Sequence, residues 1–351
     1  MTEATFAARL VEWQARHGRH DLPWQQAVTP YRVWVSEIML QQTQVSAVVP
    51  FFERFMERFP TLPELARAQV DDVLHLWSGL GYYSRARNLH KAAVIALGEY
   101  DGNLPNDLDA LMALPGIGRS TAGAILSLSY GQSAPILDGN VKRVLARHLG
   151  LEGWPGSTPN MKRLWEEATF RTPQRDAGAY TQAIMDLGAT LCTRSRPSCL
   201  LCPVQSDCEA RIAGRTHEIP APKPKRDRPL RHTRFMIARR PGGELFIERR
   251  PPTGIWGGLW CFPELASDAD PNEWCVNRFG TMPSAQHELA QIRHGFTHFE
   301  LLIAPCILDV RINSAQVADD DASAWCHAHT PPDVGFAAPM KRLLNSLATE
   351  T

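Results

Sequence analysis

The chain reads as a mainly helical domain followed by a smaller α+β domain. Three observations predict this. Apolar residues recur at helical spacing through the first 213 positions, a basic proline-rich stretch covers 214–230, and short alternating runs follow it. A length of 351 residues suits about two domains of roughly 150 each. A hydrophobic share of 44% lets each part bury its own core.

The elements follow in order. Residues 31–49 place Trp34, Ile38, Val45 and Val49 at helical spacing, and 161–170 and 177–191 show the same pattern. Pro60, Pro63, Pro105, Pro115 and Pro159 punctuate the helical part as starts and turns. Four prolines among basic residues make 214–230 a semi-rigid linker. Beyond it, 233–240 and 244–250 flank Pro241-Gly242-Gly243, a hairpin signal. Strand-like runs recur in 291–310, and 339–347 reads as a closing helix. The expected domains are therefore 1–213 and 231–351.

Net charge is zero, which argues against a simple basic coat on DNA. Its distribution is uneven. Residues 214–234 carry seven Lys and Arg against two Asp and Glu, whereas 235–351 carry nine against fourteen. The basic linker is read either as a solvated tether or as a phosphate contact. No apolar run approaches the roughly 20 residues of a membrane helix, and no secretory signal is recognised, so a cytoplasmic protein is expected.

Two local constellations carry chemistry. In Leu114-Pro115-Gly116-Ile117-Gly118-Arg119-Ser120, the glycines predict a tight turn without bulk at its tip. The helix from Arg119 then begins with free backbone N–H groups, a ready anion site. Asp138 follows about twenty residues on, before Gly139-Asn140-Val141, and is also a competent helix N-cap. The second constellation is Cys192, Cys199, Cys202 and Cys208, spaced C-x6-C-x2-C-x5-C. Disulfides are disfavoured in a reducing compartment, and zinc sites usually pair two short knuckles. Four thiolates in one compact loop suit a 4Fe–4S cluster, with Arg194 and Arg196 carried on the loop. Cys261, Cys275, Cys306 and Cys326 are scattered and read as buried free thiols.

Together the turn, the Asp138 segment and the cysteine spacing resemble the helix-hairpin-helix DNA glycosylases of the endonuclease III and MutY branch. Two features point within that branch. Ser120 stands where endonuclease III relatives carry the lysine that attacks the sugar. A hydroxyl forms no Schiff base, so a strong lyase is not expected. Ser36-Glu37-Ile38-Met39-Leu40-Gln41-Gln42-Thr43 resembles the adenine-glycosylase helix of the MutY family. The resemblance implies a monofunctional adenine DNA glycosylase, monomeric and nucleoid-associated through its DNA. Its substrate would be double-stranded DNA with adenine opposite 8-oxoguanine or guanine.

It also implies roles. Glu37 would be general acid and base, Asp138 would stabilise or trap the oxocarbenium-like sugar, and Asn140 would support it. Gln42, Leu80 and Tyr82 would fill the gap left by the everted base, and Trp24 and Gln182 would line the adenine pocket. Gly116, Gly118 and Ser120 would meet the DNA. Ser120 departs from the tyrosine of many MutY relatives, which removes any role of that phenol. Gly257-Gly258-Leu259-Trp260-Cys261-Phe262-Pro263-Glu264 resembles the opening of a Nudix domain. The acidic Nudix motif does not follow, so 231–351 is expected to read the lesion through Thr297 and His298 rather than hydrolyse diphosphates. Two rivals are an endonuclease III-like or thymine-mismatch glycosylase and a non-enzymatic iron–sulfur DNA sensor. Ser120 speaks against the first, and the presence of both Glu37 and Asp138 against the second.

Overall fold

The computed structural model describes residues 5–224, 227–296, 298–312 and 322–349. The chain divides into two compact units. One comprises residues up to 68 and 87–225, and the other comprises 69–86 and 226–351. In chain order the first helices are α1 (Phe6–His17), α2 (Pro30–Leu40), α3 (Val45–Arg58), α4 (Leu62–Arg67), α5 (Val70–Leu76) and α6 (Ser84–Glu99). They continue with α7 (Leu108–Ala113), α8 (Arg119–Tyr130), α9 (Gly139–His148), α10 (Thr158–Arg171), α11 (Ala177–Asp186) and α12 (Glu209–Ile212).

Local chemistry sets their ends. Thr29, Thr61 and Asp107 accept hydrogen bonds from the first turns of α2, α4 and α7. Pro30 and Pro159 sit in first turns, where a missing N–H costs nothing. The expected single helical stretch over 31–49 is instead two helices. Gln42 adopts φ +60°, which breaks the ladder between α2 and α3. Apolar spacing carries no signal for one left-handed residue. The break leaves Gln42 exposed.

α11 runs into a π-turn, Leu187–Leu191, that delivers the chain to Cys192. The core beneath these helices gathers Leu10, Leu137, Val144, Leu145, Leu164, Tyr180, Ile184 and Leu187. Ile219 joins it, so the first part of the expected linker is docked. One apolar residue among prolines is enough to anchor that stretch.

The second unit is built on an eight-stranded sheet. Its strands are β1 (Leu230–Arg239), β2 (Leu245–Arg249), β3 (Trp260–Cys261), β4 (Glu264–Ala266), β5 (Ala285–Glu288), β6 (Ile292–Gly295), β7 (Glu300–Asp309) and β8 (Ser323–Cys326). The main path runs β3-β2-β1-β7-β5. β1 and β7 are parallel, from Leu230 opposite Glu300 to Arg239 opposite Asp309. Both strands carry continuous apolar runs because both faces are covered. On one side Met236, Ala238, Phe246 and Cys306 meet Phe279 of α13 (Pro271–Phe279). α14 (Ala338–Thr349) buries Met340, Leu343 and Leu344. All four scattered cysteines are buried and free.

Residues 69–86 group with this unit. Gly335 comes so close to Leu74 that an added Cβ would lie 2.8 Å from the Leu74 Cβ. The Tyr83 hydroxyl donates to the Phe336 carbonyl, and Arg249 pairs with Asp71 at 3.0 Å.

Candidate active site

The first unit holds a cavity of about 540 Å³ lined by both predicted carboxylates, Glu37 and Asp138. Glu37 comes from α2, a helix whose Trp34, Val35, Ile38 and Met39 are buried. The residue is half-buried at the pocket wall. Burial, and then the nearby Asp138 charge, push its carboxyl up to about 8. A group with that value holds its proton at neutral pH.

Asp138 is treated differently. Its side chain caps α9, with Oδ1 accepting the Val141 N–H at 2.7 Å. Burial raises its pKa above the ordinary value. The hydrogen bonds from Val141 and Asn140 and the charges of Arg143 and Lys142 oppose that rise. So one carboxylate has compensation for its charge and the other has none. Both acids are raised by burial, and only Asp138 has hydrogen bonds and cations opposing that rise.

The surroundings hold both in place. The Ser120 hydroxyl accepts the Leu137 N–H at 2.9 Å, and the Ser127 hydroxyl donates to the Ala134 carbonyl at 2.7 Å. Two serines of α8 therefore pin the segment that ends at Asp138. Arg143 donates to Asn140 Oδ1 at 2.8 Å and to the carbonyls of Cys192 and Gly188 at 2.7 Å each. Gly188 allows this approach, since a Cβ there would stand 2.6 Å from the Asn140 Cβ.

Trp24 and Gln182 also line the cavity. Trp24 packs edge-on to Phe52 with centroids 5.4 Å apart. Gln182 donates to Asp186, which is fully buried and also takes three N–H groups of Arg19. The cavity also takes Arg19, Arg143 and Gly188, with Asp186 behind them, which no local motif marks as site residues. The spacing of Gln182 to Asp186, one helical turn, was the available signal.

The glycine turn has the expected form. Gly116 has φ +82°, and Gly118 precedes α8 with no side-chain cap and open space where a Cβ would stand. The α8 N–H groups are thus open to an incoming anion. Within the other unit, Tyr82 is 48% exposed at φ +52°, whereas Leu80 is buried at 7%. Of the two residues expected to project from this glycine loop, only the tyrosine does. His298 is exposed, and Thr297 lies outside the described residues. Beside them Phe296 stacks on Phe299 at 4.5 Å, and Trp256 contacts both His294 and Phe296. Glu264 is engaged by Arg250 and by the Thr233 hydroxyl, and Asp270 caps α13.

Cys192, Cys199, Cys202 and Cys208 face one small cavity. No group of three or more candidate ligands among the described residues is arranged around a single metal ion. Burial, and then the other cysteines, push Cys202 up to about 12. To act as a ligand the Cys202 thiol would have to lose that proton, which only a bound cationic group would offset. Arg147 is buried at 2% beside them and donates to Cys192 Sγ at 3.3 Å. It also reaches the carbonyls of Thr193, Arg194 and Ile219.

Comparison with known proteins places this geometry. Residues 35–169 match the HhH-GPD superfamily of base excision DNA repair proteins, and residues 234–346 match the NUDIX domain. The chain is 36% identical to the adenine DNA glycosylase of Buchnera aphidicola subsp. Acyrthosiphon pisum (strain APS), over 99% of this chain and 98% of that protein. The chain belongs to the MutY family of adenine DNA glycosylases. The human member is 33% identical over 84% of this chain and 65% of its own length. A thermostable thymine-DNA glycosylase structure shares the helical fold, with a TM-score of 0.53 and 24% identity over 59% of this chain and 95% of that one. As a MutY-family member, the protein is a hydrolytic DNA N-glycosylase of base excision repair. Its second part is a Nudix-like domain. No helix among the described residues is long and apolar enough to cross a membrane.

Proposed function

We propose that the protein hydrolyses the N-glycosidic bond of adenine paired with 8-oxoguanine or guanine. The observation that carries this reading is the pair of buried carboxyls lining one cavity, of which only Asp138 has N–H groups and cations beside it. The volume lies within the range of small-molecule pockets and admits an everted nucleoside. Glu37, protonated, gives its proton to N7 of adenine. The C1′–N9 bond then breaks, and its electron pair leaves with the base. Positive charge builds on the sugar, where the Asp138 carboxylate stabilises or traps it. Water adds at C1′, and the Glu37 carboxylate takes its proton.

Asn140 steadies this end of the site through Arg143. Trp24 and Gln182 bound the space for the base, and the open turn at Gly116 and Gly118 grips phosphate. Gln42 and Tyr82, both exposed at left-handed positions, fill the vacated stack. Thr297 and His298 read the modified guanine. Ser120 is a support for the segment leading to Asp138 and not a nucleophile, so DNA strand cleavage needs alkali. Cys192, Cys199, Cys202 and Cys208 would hold a 4Fe–4S cluster, which would cross-link the loop that carries Arg194 and Arg196. The protein works as a monomer in the cytoplasm, on the nucleoid.

The test uses duplexes with adenine or thymine opposite 8-oxoguanine or guanine, scored for base release with and without alkali. Adenine release opposite 8-oxoguanine, with strands cut only after alkali, is expected. Intact adenine there would overturn the reading.

A further inference from the structure

Beside the catalytic cavity, in the same unit, lies a second one of about 610 Å³. Arg143 and Arg194 line both. Lys142 of α9, Trp154 of the α9–α10 connection and Lys223 of the proline-rich segment complete its charged and aromatic wall. The Lys223 ammonium sits 5.6 Å from the Trp154 ring centroid. One carboxylate, Glu218, also lines the groove, but it already accepts from Arg215 Nε at 2.9 Å. Among the described residues, no ion pair engages Lys142, Arg194 or Lys223.

The groove is preformed. Buried Arg147 ties its three walls together, giving Nε to Ile219 O at 2.7 Å, Nη1 to Thr193 O at 2.7 Å and Nη2 to Arg194 O at 3.0 Å. Cations without partners, on a fixed wall next to an aromatic face, attract a polyanion with little reorganisation. The shared arginines join this groove to the site where the sugar reacts.

We infer that the groove seats the backbone of the target strand beside the everted nucleotide, with a phosphate held between Lys142, Arg194 and Lys223. This rests on the reading of the first cavity as the nucleotide site. It makes the basic segment after Ile219 a DNA contact as well as a tether.

The experiment measures binding against salt, using a duplex with a tetrahydrofuran abasic analogue opposite 8-oxoguanine. That probe has no base to release, so the result is independent of excision. Each lost phosphate contact lowers the slope of log K against log salt by about 0.9. Lys223→Gln is expected to lower it by about that amount, Lys223→Arg to keep it, and Lys142→Gln with Lys223→Gln to lower it further. An unchanged slope in the double variant, with far-UV circular dichroism intact, overturns the proposal. An equal loss on an undamaged duplex also overturns it, because the contact would then ignore the everted nucleotide. If the slope falls while adenine is never released, the groove stands and the catalytic reading fails. If adenine is released but the slope holds, the groove alone fails.

Discussion

Glu37→Gln separates catalysis from stability in one substitution. The carboxyl ordinarily titrates near 4.5 and is raised to about 8 in the fold. A raised folded value means the folded state binds the proton more tightly than the unfolded state. Stability is therefore full below pH 4.5, falls as pH rises, and levels off above about 8. At about 1.36 kcal/mol per unit, the cost reaches roughly 4 kcal/mol at pH 7.5 and stays under about 1 kcal/mol at pH 5. Glutamine keeps the shape and cannot ionise. The variant should gain roughly 4 kcal/mol at pH 7.5, a Tm rise on the order of 10 °C for a unit of this size, and almost nothing at pH 5. Excision should drop about 10²–10⁴-fold, the usual worth of a positioned proton donor. The assays are thermal melts across pH 5–9 and single-turnover release of adenine from an 8-oxoguanine duplex. In the parent protein, release should hold up to about pH 8 and then fall about tenfold per unit. A Tm difference that does not vary with pH would refute the desolvation argument. Undiminished release by the variant would remove Glu37 from the chemistry.

Asp138→Asn keeps the helix cap, since both side chains cap well, and should abolish release while substrate binding in a gel-shift titration stays within a few-fold. Gly188→Ala puts a Cβ 2.6 Å from that of Asn140, so it should shift the start of α9 and cut the excision rate more than 10-fold with binding less affected. Arg147→Ala strips a buried charged donor from one buried and several part-buried carbonyls and should cost on the order of 3 kcal/mol in denaturant titration. Cys199→Ser should bleach visible absorbance that survives chelators in the parent, whereas a colourless zinc-loaded parent would contradict the iron–sulfur reading.

Asp138 was recognisable because a helix cap is written within four residues, and its hydrogen bond to Val141 follows from that local rule. The glycine turn and the cysteine spacing are local in the same sense. Glu37 was harder, because nothing in its own helix says whether it faces water. Leu80 and Tyr82 lie two residues apart in a glycine loop and look alike there, yet one is buried and the other projects. The break at Gln42 was hidden by apolar spacing that runs through it. Residues 69–86 read as part of the helical domain, but Leu74, Tyr83 and Asp71 find their partners at Gly335, Phe336 and Arg249.

Periodic burial, caps and ligand spacing act over a few residues, so the chain's order alone determined the fold class, the family resemblance and the candidate acids. Desolvation and electric fields act through space and sum over atoms far apart in the chain. Folding therefore had to bring α2 and the start of α9 to one cavity before Glu37 could hold a proton and Asp138 could gain the cations and N–H groups that oppose its burial. The same holds for Arg147, whose carbonyl partners lie 45 to 72 positions away.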